Sequence, residues 1–156
     1  MKVSELALEA SNVLLGTAVG AGVNQSIFMM PGWFTSPPDS LAPARHDRRF
    51  GKFWIPLQAG CALALGGALA LNRHHRRRRR LLALALGLYA GTWASTAAYF
   101  APEVSRLGDE DSVMAIAEST RRGRRWLRLT WGRHLALGAA WLLTALALSQ
   151  RPRAWR

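Results

Sequence analysis

The chain has 156 residues, half of them hydrophobic, with 21 basic residues against nine acidic ones and a net charge of +12; at that length it is a single domain. Its mean hydropathy of +0.02 averages strongly apolar runs with basic ones, and uncharged runs packed this closely exclude an ordinary soluble core and argue against a nucleic-acid-binding module. With one cysteine, Cys61, the chain can form neither an internal disulfide nor a cysteine-based zinc site.

Lys2, Glu5 and Glu9 precede a stretch without charge from Ala10 to Pro38, which predicts a first membrane span over about 10–34. A cleaved signal peptide would have a positive leader and a short apolar core, unlike two glutamates before a long run containing Asn24 and Gln25. Asn12, Gly16, Gly20 and Asn24 recur at every fourth residue, as do Gly87, Gly91 and Ser95 further on. Small residues at that spacing let helices approach closely, so the two stripes predict contact between the first and third spans. Pro31, Gly32, Pro37 and Pro38 end the first helix and open a polar loop through Arg45, His46, Asp47, Arg48, Arg49 and Lys52.

The second span is expected over about 54–72, with Pro56 near its start. It runs into Arg73-His74-His75-Arg76-Arg77-Arg78-Arg79-Arg80, a basic elbow without an acid. The third span follows over about 81–101, closed by Pro102. Asp109, Glu110 and Asp111 then precede an apolar stretch, and Arg121, Arg122, Arg124 and Arg125 follow it. Acids first and bases last suit a helix dipole, so a short interfacial amphipathic helix is expected here, with Gly123 as a joint. A fourth span over about 129–149 and a basic tail of Arg151, Arg153 and Arg156 complete the chain. The expected fold is all-α: one four-helix transmembrane domain over residues 1–156, neighbours antiparallel, in contact with membrane lipids.

Four spans place the N-terminus, the elbow and the tail on one side, and each side then carries ten basic residues. Arginine density at the elbow breaks the tie and predicts that both termini are cytoplasmic; the membrane expected is the plasma (inner) membrane.

In either orientation the end of span one, the start of span two, the end of span three and the start of span four share a leaflet. Asn24, Gln25, Gln58, Thr96, Tyr99, Glu103, Thr130, Arg133 and His134 therefore converge, with Trp33, Trp54, Trp126 and Trp131 around the rim. A cation inside a span needs a partner or a route to the interface, so Arg133 is expected to face the bundle interior and contact Glu103, Asn24 or Gln25. The ligand-binding candidates are Asn24, Gln25, Gln58, Thr96, Trp126, Thr130, Trp131 and Arg133; the candidates for chemistry are Arg133, Glu103, Tyr99 and His134. Of the four histidines only His134 adjoins a span, which argues against an intramembrane haem or di-iron site. Neither a phosphate loop nor a nucleophile elbow is present, and neither a cofactor nor a metal is expected.

Phe28-Met29-Met30-Pro31, Tyr99-Phe100-Ala101-Pro102, and Arg125-Trp126 followed by Trp131-Gly132-Arg133 give the chain a layout that resembles the DUF1772, anthrone oxygenase-like, membrane family. The likeness covers roughly Asn12 to Leu148, and Trp126 and Arg133 match the family pattern Trp-x(6)-Arg. The chain departs from it at Val104 and Thr130, where the family often has Asn and His or Asn. The resemblance implies an apolar small molecule as ligand; members of known function oxidise polycyclic anthrones without an evident cofactor. Two functions follow as expectations. One is a small membrane protein binding a lipid or flat apolar ligand at one end of its bundle. The other is a membrane oxidoreductase for a polycyclic or quinone-like substrate, in which Arg133 polarises an oxygen and Tyr99, Glu103 or His134 moves a proton. A channel or transporter fits less well, because the spans lack an acidic or histidine relay.

Overall fold

The apolar runs all fold as helix. The computed structural model describes residues 2–42, 48–109 and 114–150; Arg45, His46, Asp47, Glu110, Asp111 and the tail arginines lie outside them. The elements are α1 (Val3–Phe28), α2 (Met30–Trp33), a 3-10 turn (Asp39–Leu41), α3 (Arg48–Leu71), α4 (Arg76–Ser95), a π turn (Thr96–Phe100), α5 (Ala101–Leu107) and α6 (Ile116–Ser149). Among the described residues there is no strand. Three segments, Val3–Phe28, Gly51–Leu71 and Arg76–Leu107, are long and apolar enough to cross a membrane.

The four long helices form an antiparallel bundle in which α1 lies between α3 and α6, and α4 packs mainly on α6 and less extensively on α3. Each contributes one buried stripe with alternating steps of three and four: Leu8, Ser11, Leu15, Ala18, Gly22 and Gln25 from α1; Cys61, Leu65 and Ala68 from α3; Leu82, Ala85, Tyr89 and Thr92 from α4; and Leu137, Ala140, Thr144 and Ala147 from α6. That spacing keeps a seam facing its neighbours along the bundle. The opposite faces are apolar too: Val13, Leu63, Leu84, Leu135 and Leu142 are all exposed, Leu63 by 77%. A water-soluble bundle would place polar side chains there.

The helix ends differ from those read in the sequence, and proline chemistry explains two of them. Pro31 does not end α1, which stops at Phe28; it stands in the first turn of α2, where its missing N–H has no acceptor to serve. Pro56 lies well inside α3, because the helix begins at Arg48 instead of near Trp54. Pro102 does not close the third helix either, since the chain remains helical to Leu107. The π turn over Thr96–Phe100 widens the backbone just before the ring, where a regular helix would meet a clash and lose a hydrogen bond.

The basic elbow is also smaller than expected. Only Asn72 to His75 form the turn, and Arg76 to Arg80 are the opening turns of α4. Five cations at a helix N-terminus oppose its dipole. Four of them, with Arg73, are exposed, but Arg78 is buried. Its Nη1 donates to Glu5 Oε1 at 2.6 Å and its Nε to the Gln150 carbonyl at 2.8 Å, while Asn72 Oδ1 accepts at 3.3 Å. One guanidinium thus ties together the start of α1, the turn after α3 and the end of α6.

The expected short interfacial helix and last span are one continuous 34-residue helix, α6, and Gly123 is not a joint. A Cβ there would stand 2.4 Å from the Phe34 ring, so the glycine makes room for an aromatic side chain from the loop after α2. The expected contact between the first and third spans is corrected as well. Asn12 Nδ2 donates to Thr144 Oγ1 at 2.9 Å, and Gly16 faces Trp141, so that stripe meets α6. Gly20, Gly87 and Gly91 face open space.

Candidate functional site

At the end of the bundle away from the elbow, α3 and α4 leave a cavity of about 210 Å³ against α1 and α6. Its position follows from the side chains below it. Tyr89 bridges the two helices, its hydroxyl 2.7 Å from the Gln58 carbonyl and 3.0 Å from Gln58 Oε1. Beyond that bridge the seam is lined by the small Ala18 and Gly22 and by Thr92 and Thr96, which do not fill it. The hydroxyls of Thr92 and Thr96 are engaged by their own helix, at 2.7 Å to the carbonyls of Tyr89 and Thr92, and Thr130 is likewise bonded to the Trp126 carbonyl at 3.0 Å. They present methyl groups and hydroxyl oxygens more than free donors.

Arg133 and His134 supply the polar end. The Arg133 guanidinium carbon lies 4.5 Å from the centre of the Phe100 ring, and Nε is buried without a hydrogen-bond partner. Among the described residues no carboxylate forms an ion pair with it. A cation–π contact offsets only about 0.5–2 kcal/mol of the cost of withdrawing a guanidinium from water. His134 shares a 2.7 Å hydrogen bond between Nε2 and Ser26 Oγ, and its Nδ1 is buried and unpartnered. The cavity is therefore apolar over most of its wall and holds two unspent nitrogen groups side by side.

Six of the residues expected to converge do line this cavity: Gln25, Gln58, Thr96, Thr130, Arg133 and His134. Trp54 of the expected rim lines it too, and the others are elsewhere. Asn24 is exposed on α1, since the buried stripe passes through Gly22 and Gln25. Trp131 is exposed and meets His134 edge-on at 5.6 Å, outside the cavity. Tyr99 lines a separate groove on the outer side of α4. Glu103 does not meet Arg133: it is buried in a paired contact with Arg122, Nε to Oε1 and Nη2 to Oε2, both 2.6 Å. That hydrogen-bonded carboxylate also raises the affinity of the Arg122 guanidinium for its proton.

Trp126 belongs to a second buried cluster with Phe34, Phe100, Leu41 and Leu107. Its Nε1 donates to the Phe100 carbonyl at 3.0 Å and its ring lies 5.4 Å from that of Phe34. This cluster fastens the π turn and the α2 loop over the cavity's end, so Trp126 acts on the site through Phe100. Ser26, Met30, Thr92 and Trp93 adjoin the cavity unforeseen. The signal for Ser26 was its place one turn beyond Gly22 on α1; Trp93 carried none.

Among the described residues no group of three or more His, Cys, Asp or Glu side chains gathers as a metal site would require. Comparison of the chain with protein-family models, with curated proteins and with solved structures gives no match.

Proposed function

We propose that this chain is an integral membrane protein of four spans that binds a small, flat, largely apolar molecule carrying an acceptor oxygen, held in the cavity between α3 and α4. The observation that carries the reading is Arg133, a partly buried cation with no carboxylate partner among the described residues, beside an apolar void. A carbonyl or phenolate oxygen would supply the missing acceptor, and rings would replace the missing packing. The volume of about 210 Å³ exceeds the roughly 150 Å³ that takes up benzene and falls below the roughly 300 Å³ at which drug-sized sites begin. That favours one or two rings.

A soluble naphthoquinone titrated into detergent-purified protein is expected to quench tryptophan fluorescence saturably, because Trp54 and Trp93 line the cavity. Arg133→Leu is expected to weaken that binding about 10- to 100-fold, the range for loss of a hydrogen bond from a charged donor. Equal affinity in the variant would refute the assignment.

The fourth span is supported by α6, whose half beyond Leu129 packs with the three apolar segments and exposes Leu135, Leu142 and Leu146. Reporters fused after Ser112 and after Arg156 are expected on opposite sides of the plasma membrane, the second in the cytoplasm. Both on one side would reduce the spans to three.

The second reading is oxidation of a quinone-like substrate of one or two rings, by the chemistry that the resemblance to DUF1772 implies for the larger anthrones. It is favoured by the unpartnered Nδ1 of His134 next to Arg133. The imidazole would take the proton from the ring carbon, the guanidinium would hold the resulting oxyanion, and dioxygen would be the oxidant, giving the quinone and water. Glu103 and Tyr99 lie away from the cavity, so His134 alone carries the proton in this reading.

A further inference from the structure

Outside the cavity, α4 and α6 enclose an open groove of about 510 Å³, and Thr92 and Arg133 form the wall between the two. Gly87 and Gly91 of α4 line the groove together with Gly132 and Ala136 of α6, and a Cβ at any of the three glycines would meet nothing within 4 Å. The hydroxyls of Thr92 and Ser95 are bonded to carbonyls of their own helix at 2.7 and 2.8 Å. Its surface is thus close to hydrocarbon, with Arg133 as its one charge.

Above the groove the same helix becomes strongly cationic. Arg125, Leu129, Gly132 and Ala136 follow one another by steps of four, three and four, placing Arg125 in line with the groove about two turns, or about 10 Å, beyond Gly132. Arg121, Arg124 and Arg128 surround it in a shallow basin. Arg121 pairs with Glu118, and among the described residues no carboxylate forms an ion pair with Arg124, Arg125 or Arg128. A cationic basin leading into an apolar groove matches an amphiphile with an anionic head.

We propose that the outer face of α4 and α6 is a binding site for an anionic phospholipid, its phosphate held by Arg125 and Arg128 and one acyl chain lying along Gly91 and Gly132. The site rests on the reading that α6 crosses the bilayer, but it is distinct from the inner cavity and does not depend on which side is cytoplasmic. A bare phosphate would leave the groove empty, and a zwitterionic lipid would bring its own ammonium up against the arginines.

The test is electron spin resonance on full-length protein reconstituted into phosphatidylcholine vesicles holding trace phosphatidylglycerol or phosphatidylcholine, each spin-labelled near the end of one acyl chain. Phosphatidylglycerol is expected to be motionally restricted with a preference of about fivefold or more, the factor a single surface arginine contributes. The preference is expected to fall towards unity in Arg125→Gln/Arg128→Gln and to persist in Arg76→Gln/Arg77→Gln at the other end of the bundle. Gly91→Leu, at a position where an added Cβ meets nothing within 4 Å, is expected to cut the restricted fraction of the anionic lipid at least twofold. Equal restriction of both lipids by the unmodified protein, loss of selectivity in the Arg76→Gln/Arg77→Gln protein alone, or displacement of the labelled lipid by glycerol phosphate would each overturn the proposal. Failure of the protein to enter vesicles at all would instead overturn the membrane-spanning reading.

Discussion

Arg78→Ala is expected to destabilise the bundle by about 3 kcal/mol, while Arg79→Ala, one residue away, changes stability by less than about 0.5 kcal/mol. The two side chains have the same chemistry and opposite surroundings. Arg78 is 3% exposed and joins Glu5, Asn72 and the Gln150 carbonyl, whereas Arg79 is exposed. Truncation leaves the Glu5 carboxylate and two further acceptors at that end without their donor. The loss falls at the lower end of the range for buried ion pairs because the Glu5 side chain is 25% exposed and water can reach it. Thermal unfolding in detergent, followed by loss of helical circular dichroism, measures both variants. Equal effects would mean that the guanidinium is not a tie between α1 and α6 but one more member of a solvated run.

Gly123→Ala is expected to cost about 1–3 kcal/mol, although alanine is the better helix former. The added Cβ would lie 2.4, 2.6 and 2.7 Å from Cδ1, Cγ and Cβ of Phe34. Rotating the ring cannot relieve a clash that includes Phe34 Cβ, and Phe34 is 3% exposed against Trp126. The loop after α2 must therefore move off α6. Gly20→Ala supplies the contrast: nothing lies within 4 Å, so only the propensity gain of about 0.5–1 kcal/mol remains and stability should rise. Smaller loss when Phe34→Ala accompanies Gly123→Ala would locate the coupling; a neutral Gly123→Ala in the same unfolding assay would show that the loop is not seated there.

Much of the bundle was legible because it follows from properties local to the chain. Uncharged runs of the necessary length have few folds other than helix if the backbone is to satisfy itself, and the basic segments between them fall at the ends of the bundle. The convergence of Gln25, Gln58, Thr96, Thr130, Arg133 and His134 followed from counting turns along antiparallel neighbours. What misled was angular drift. Residues spaced four apart advance about 40° per step beyond a full turn, so the stripe beginning at Asn12 against Thr144 has left the interface by Gly20 and Asn24. The alternation of three and four through Leu15, Ala18, Gly22 and Gln25 stays on the seam, and it distinguishes Gln25 from its neighbour.

Pairing was decided only in three dimensions. Glu103 could reach either Arg122 or Arg133 as far as order along the chain is concerned, and the added turns of α5 and the continuity of α6 bring it to Arg122. Arg133 is left facing Phe100 and the cavity. Likewise, six arginines near one another look alike in sequence, yet Arg78 alone turns inward, because Glu5 and the end of α6 happen to meet there. Hydrophobicity and periodicity set which faces are buried; which charge finds which partner depends on distances between helices far apart in sequence, and these appear only when the helices pack.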